Sequence, residues 1–181
     1  MIAYAITDPS TLSFSTLSYD LELFSQRADM ILYRDKSCSN YSSHAKTFLL
    51  EARQHAFTRI LLHGDYKLAA KLGADGVHLM ASQAGMIAPA KALGLFVIIS
   101  THTFKEIHAA VQLGADMVTF SPIFRSPSKG RPKGLELLRQ VVLAMPIPII
   151  ALGGIVTLSQ IHAVEACGVA GFASIRYFNH S

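Results

Sequence analysis

The sequence predicts an α/β protein folded as a (β/α)8 TIM barrel whose eighth helix is truncated or missing. Eight short apolar runs alternate with seven amphipathic stretches along the 181 residues. The runs are continuously apolar rather than alternating, so both faces must be covered, as in a parallel sheet. Leu72-Gly-Ala-Asp-Gly-Val-His-Leu79 and Leu113-Gly-Ala-Asp-Met-Val-Thr-Phe120 are near copies, and Cys167-Gly-Val-Ala-Gly-Phe-Ala-Ser174 is a looser third. Each reads as a helix stopped by a left-handed glycine and turned at once into a strand. Eight strands in strict alternation with helices favour closure into a barrel over an open doubly wound sheet.

In chain order, strands are expected at residues 2–6, 29–33, 59–63, 76–79, 95–100, 116–121, 147–152 and 170–175. Helical patterns lie between them at 19–27, 41–57, 66–72, 82–93, 104–113, 135–144 and 158–167. The repeated turns put Asp75 and Asp116 at the stability face of the barrel, and both read as architecture. After the eighth run only residues 176–181 remain, too few for a full helix. The flank near strands eight and one is therefore expected to lack its usual cover, which points to a homodimer or to another helix shifted across.

With 51% hydrophobic and 15% charged residues, the chain is expected to form one domain over 1–181. The longest apolar segment, 147–156, is interrupted by Pro148 and two glycines. It falls short of the roughly 20 residues a spanning helix needs, so no membrane partner is expected. The chain enters Ile2-Ala-Tyr-Ala-Ile6 without a basic region and cleavable apolar stretch, and Cys38 and Cys167 are too few and too far apart for a disulfide framework. A cytoplasmic location is expected. The formal charge of +4 is spread out, without clustered Lys/Arg and interleaved aromatics. That excludes the usual nucleic-acid footprint and is compatible with small anionic substrates.

Barrels of this kind build their sites at the carboxyl ends of the strands, where this chain is rich in cations, hydroxyls and histidines and poor in carboxylates. The sixth run is broken by Pro122 and followed by Arg125, Ser126, Ser128 and Lys129, with Gly130 and Pro132 keeping the loop from becoming a helix. Such a loop either turns in solvent or places two cations and two hydroxyl donors around an anion such as phosphate. Gly153-Gly154 follows the seventh run, where many barrels bind phosphate through backbone N–H groups. His102, after Ser100 and Thr101, is either a proton carrier or a hydrogen-bonded rim residue. His63, His78 and His102 fit a three-imidazole metal site poorly, because His78 lies inside a strand run and no two share a helical or hairpin spacing.

Taken together, Tyr4-Ala-Ile-Thr-Asp8, Arg34-Asp-Lys36, Gly73-Ala-Asp-Gly-Val-His-Leu79, Ser100-Thr-His102, Pro122-Ile-Phe-Arg-Ser-Pro-Ser-Lys129 and Pro148-Ile-Ile-Ala-Leu-Gly-Gly-Ile155 resemble the thiamine phosphate synthase and thiazole tautomerase superfamily. The resemblance covers nearly the whole chain. It implies a thiamine-biosynthesis enzyme acting on a thiazole phosphate. The family's synthase joins a pyrimidine diphosphate to a thiazole phosphate, expelling pyrophosphate with the help of Mg2+, an ion held by carboxylate oxygens. The resemblance places the two metal-binding aspartates at Gly64 and Gln83, so both are absent here, and Asp65 is the one nearby substitute.

That subtraction makes thiazole tautomerase, a metal-independent isomerase, the expected activity. Under it His102 moves the proton, and no cofactor or metal is required. Gly153, Gly154 and Arg176 hold the phosphate, while Ser126, Ser128 and Lys129 close over the ligand. Arg34 and Lys36 supply positive potential, and His63 and Ser100 complete the binding set. Arg176 stands where a serine is usual, and either pairs with the phosphate or fills the site in its absence. The alternatives are a thiamine phosphate synthase, which would bring Mg2+ with it, and a catalytically idle phosphate-binding or regulatory protein.

Overall fold

The computed structural model describes residues 1–127 and 129–178. Eight parallel strands close into a barrel in simple order: β1 (Ile2–Ile6), β2 (Met30–Tyr33), β3 (Arg59–His63), β4 (Gly76–Leu79), β5 (Phe96–Thr101), β6 (Met117–Phe120), β7 (Ile149–Leu152) and β8 (Gly171–Ser174). The barrel shuts where Tyr4 of β1 lies beside Ala173 of β8. The helices between strands are α1 (Leu17–Ser25), α2 (Tyr41–Ala52), α3 (Tyr66–Leu72), α4 (Ile87–Ala92), α5 (Phe104–Gln112), α6 (Gly134–Ala144) and α7 (Leu158–Glu165).

Two apolar layers explain why the strand runs do not alternate with polar residues. Tyr4, Ile6, Met30, Leu32, Leu61, Ile98, Ile150 and Ala173 form one cluster inside the barrel. Their neighbours along the same strands, among them Ala5, Ile31, Leu62, Val97, Ile99 and Ala151, belong to a second cluster shared with the helices. A fully buried Leu or Ile contributes about 1.5–3 kcal/mol, so both faces of a strand favour apolar residues.

The aspartates that precede even-numbered strands tie the amino-terminal rim together. Asp29 accepts a hydrogen bond from Ala3 N, Asp75 from Ile60 N and Asp116 from Val97 N, each at 2.7 Å. Asp116 also receives both contacts of Lys91 Nζ, at 2.7 and 2.8 Å. The architectural reading of Asp75 and Asp116 matches this geometry, and Asp29 is a third member that its less repetitive context concealed.

Three elements depart from the expected pattern. The segment 82–93 is not one helix: a 3-10 turn, Ala81–Met86, precedes α4. Pro89 has no N–H for the Gly85 carbonyl and its ring crowds that carbonyl, so the helix restarts at Ile87 with Pro89 in its first turn. Helix α2 ends at Ala52 rather than 57, and Arg53 donates to the Leu72 and Gly73 carbonyls at the end of α3.

The third departure is the packing at the flank after β8, which has no helix among the described residues and yet is not left bare. Phe178 is buried there and stacks on Phe172 at 5.8 Å between ring centroids, while Tyr177 packs edge-on and carries Arg27 over its ring at 4.3 Å. The flank whose exposure suggested a dimer is covered from within the chain. Among the described residues no helix is long and apolar enough to cross a membrane.

Candidate active site

The carboxyl ends of the strands open into a cavity of about 640 Å3. It brings together Arg34 and Lys36 after β2, His63 at the end of β3, Ser100 and His102 around the end of β5, and Ser126 and Lys129 from the loop after β6. Gly153 and Gly154 after β7 and Arg176 after β8 complete the wall. Ser128 lies outside the described residues.

Each of these positions is set by a local constraint. Thr7, fully buried, donates to the Leu32 carbonyl and accepts from Arg34 N, which fixes the chain as it leaves β2. Tyr41 donates to the Tyr33 carbonyl and accepts from His63 N, joining the exits of β2 and β3. The β6 loop is bonded to the end of β7 through Ile123 N to Leu152 O and Phe124 N to Gly153 O. Gly153 and Gly154 have φ of 102° and 72°. A Cβ at Gly153 would lie 2.7 Å from Pro122 Cα, and one at Gly154 would lie 2.5 Å from the Arg125 carbonyl. Close approach is indeed why glycine stands here, but what approaches is the β6 loop.

The potential at the mouth is positive. Lys36 is held below the ordinary lysine range by Arg34, then by burial, then by Lys129. Lys129 comes from the loop after β6, four strands from β2 in the barrel order, and lines the same cavity as Lys36. His63 is lowered to about 4 by burial and by Arg34 and Lys36, and His78 to about 3 by burial, then His63 and Arg34. Both imidazoles are neutral at pH 7, while the cations remain to attract an anion.

His78 is the functional candidate that sequence reasoning set aside. It is 3% exposed and yet lines the cavity floor. Its Nδ1 is 3.0 Å from the Tyr4 hydroxyl and its Nε2 is 3.0 Å from Ser100 Oγ. Tyr4 is fully buried and, among the described residues, its hydroxyl has no other hydrogen-bond partner, so the O–H donates to Nδ1 and Nε2–H donates to Ser100. The Ser100 hydroxyl hydrogen is then left for a ligand. The available signal was the two-residue period of β4, which puts Gly76 and His78 on the same face.

His102 has the opposite tautomer. Its Nδ1 lies 3.0 Å from the Ser121 carbonyl, which can only accept, so Nδ1 carries the hydrogen. The Nε2 lone pair has no hydrogen-bonding partner among the described residues.

The Mg2+ implied by the family does not fit the side chains present. Gln83 and Gly64, the two positions where carboxylates were expected, are adjacent in space: Gln83 Nε2 donates to the Gly64 carbonyl at 2.9 Å, and its Oε1 accepts from Met80 N at 2.9 Å. Asp65 spends Oδ1 capping α3 through Leu68 N. Among the described residues no three His, Cys, Asp or Glu side chains form a group able to hold a metal ion.

Fold and site define a TIM barrel with a cationic mouth. The chain belongs to the thiamine monophosphate synthase family, which matches residues 3–178. A thiamine-phosphate synthase of Nitrosococcus oceani is 32% identical over 170 residues, covering 90% of this chain and 78% of the relative. A thiamine-phosphate synthase of Anaeromyxobacter dehalogenans is 40% identical over 121 residues, a match that covers 64% of this chain and spans about half, 54%, of that relative's length. A thiamine phosphate pyrophosphorylase structure from Pyrococcus furiosus superposes with a TM-score of 0.81 at 28% identity, covering 96% of this chain and 85% of that one. These relatives carry a transferase name, which overturns the expected tautomerase, an isomerase. The expectation rested on two missing carboxylates, whose loss removes a metal grip.

Proposed function

We propose that the protein is a transferase of thiamine biosynthesis that joins a pyrimidine diphosphate to a thiazole phosphate and releases pyrophosphate. The observation that carries this reading is the distribution of cations around one cavity. Arg34, Lys36 and Lys129 gather between the β2 and β6 exits, and Arg176 stands after β8 beside Gly153 and Gly154. Two cationic regions suit two phosphorylated substrates, and about 640 Å3 is within the range of pockets that enclose ligands of this size.

The chain's own groups have definite parts in the reaction. Arg34, Lys36 and Lys129 bind the diphosphate and offset the negative charge that develops as it departs. Arg176, with Ser126, holds the thiazole phosphate. Ser100, oriented by His78 and Tyr4, donates a hydrogen bond to a ring acceptor, and His102 Nε2 accepts one from a substrate N–H or O–H group. Holding both substrates in one geometry converts a bimolecular encounter into a step within a complex.

Incubation with hydroxymethylpyrimidine diphosphate and thiazole phosphate, with and without Mg2+, is expected to yield thiamine phosphate and one equivalent of pyrophosphate. Binding of both substrates with no product in either condition would leave a phosphate-binding protein and defeat the transferase reading.

A further inference from the structure

We propose that this site handles the diphosphate without a divalent cation, with Arg34, Lys36 and Lys129 doing the neutralising that a metal ion does elsewhere. The inference rests on the transferase reading and concerns the same cavity.

Each acidic side chain near the mouth has one oxygen engaged within its own loop or cap, and the Gln83 amide is engaged at both ends. Asp8, the sole acidic wall residue among those described, accepts at Oδ1 from Ser10 N at 2.9 Å and from Ser10 Oγ at 2.6 Å. Asp35 accepts at Oδ1 from Ser37 N at 2.9 Å and from Ser37 Oγ at 2.8 Å. Asp65 caps α3, and the Gln83 amide is used at both ends, with Met80 and Gly64. A hard dication needs several ligands at once, and among the described residues no three His, Cys, Asp or Glu side chains come together to supply them.

The same mouth concentrates positive charge. Arg34 and Lys129 both bear on Lys36 strongly enough to depress its ammonium. A divalent cation brought there meets three like charges, whereas a diphosphate relieves their mutual repulsion. The guanidinium offers paired donors to phosphate oxygens, and the two ammonium groups act as movable point charges. In the reaction the bond between the pyrimidine's methylene carbon and the diphosphate oxygen breaks with both electrons going to oxygen. The thiazole nitrogen lone pair forms the new C–N bond. Pyrophosphate leaves with its added charge facing Arg34, Lys36 and Lys129, and no other reactant is consumed.

Two measurements on the full chain, stripped of metal, decide the matter. With hydroxymethylpyrimidine diphosphate and thiazole phosphate, the initial rate in EDTA is expected to be at least half of that in Mg2+; a drop of tenfold or more in EDTA overturns the proposal. Calorimetric titration with inorganic pyrophosphate in EDTA is expected to show binding that weakens about tenfold in Lys36→Ala and is not tightened by Mg2+. Binding that appears only with Mg2+ also overturns it. If no thiamine phosphate forms in either condition the transferase reading falls, and the titration still decides the metal question.

Discussion

Gln83 Nε2 donates to the Gly64 carbonyl at 2.9 Å, so the two positions where the family resemblance calls for metal-binding carboxylates are joined to each other by a neutral hydrogen bond. The bond holds the 3-10 turn after β4 against the exit of β3. The same amide accepts from Met80 N. Gln83→Ala removes both contacts from a half-buried site and is expected to cost about 1–2 kcal/mol, read as a lower denaturant midpoint at unchanged slope. An unchanged midpoint would mean the bond does not hold the turn.

Tyr4→Phe leaves the fully buried His78 without its Nδ1 donor. An unsatisfied buried acceptor costs about 1–3 kcal/mol. The imidazole can then take a hydrogen from Ser100 instead of giving one, which removes the hydroxyl donor from the cavity floor. Turnover is expected to fall about three- to tenfold, the equivalent of one hydrogen bond, with pyrophosphate affinity retained. Steady-state kinetics beside pyrophosphate titration separates this from a general loss of folding.

Gly154→Ala and Gly114→Ala form an informative pair, because both positions have positive φ, 72° and 83°. A Cβ at Gly114 meets nothing within 4 Å, whereas one at Gly154 lies 2.5 Å from the Arg125 carbonyl. The first variant is expected to pay only the backbone strain, about 1 kcal/mol. The second must also displace the β6 loop, and thermal unfolding is expected to show a clearly larger loss together with weaker binding of inorganic phosphate. Equal losses would remove the close approach as the reason for glycine.

Acid stability follows from the two depressed imidazoles, at about 4 for His63 and about 3 for His78. Unfolding returns both to an ordinary value near 6.5, so in mildly acidic solution the unfolded chain binds protons that the folded chain refuses. Their contribution is fully present above pH about 6.5 and declines as pH falls towards 4, by about 1.4 kcal/mol per unit for each residue. Denaturant midpoints measured between pH 7 and 4.5 are expected to fall, and His63→Gln to shallow the slope by about one proton. Parallel profiles for the two proteins would contradict the neutral, buried state of His63.

Most of the barrel was legible because its signals are local. Gly73 ends α3 in the left-handed conformation, and the near copy at Gly114 repeats that turn. The break at Pro89 was missed because apolar periodicity runs straight through a residue whose effect is a missing N–H. His78 was discounted for lying within a strand. Inside a barrel a strand interior can still face the ligand, provided partners such as Tyr4 and Ser100 satisfy the ring.

By itself, the sequence determined the alternation of eight strands with helices, the hydroxyl and cationic residues at the strand ends, and the absence of two carboxylates, since each is a matter of residue type and spacing. Tertiary structure alone decided that Lys129 lines the same cavity as Lys36, that Gly154 makes room for a loop, and that Phe178 packs on Phe172 at the flank an eighth helix would cover. Closing the barrel is what brings distant strand ends within a few ångströms, and no local pattern encodes which of those ends will then face one another.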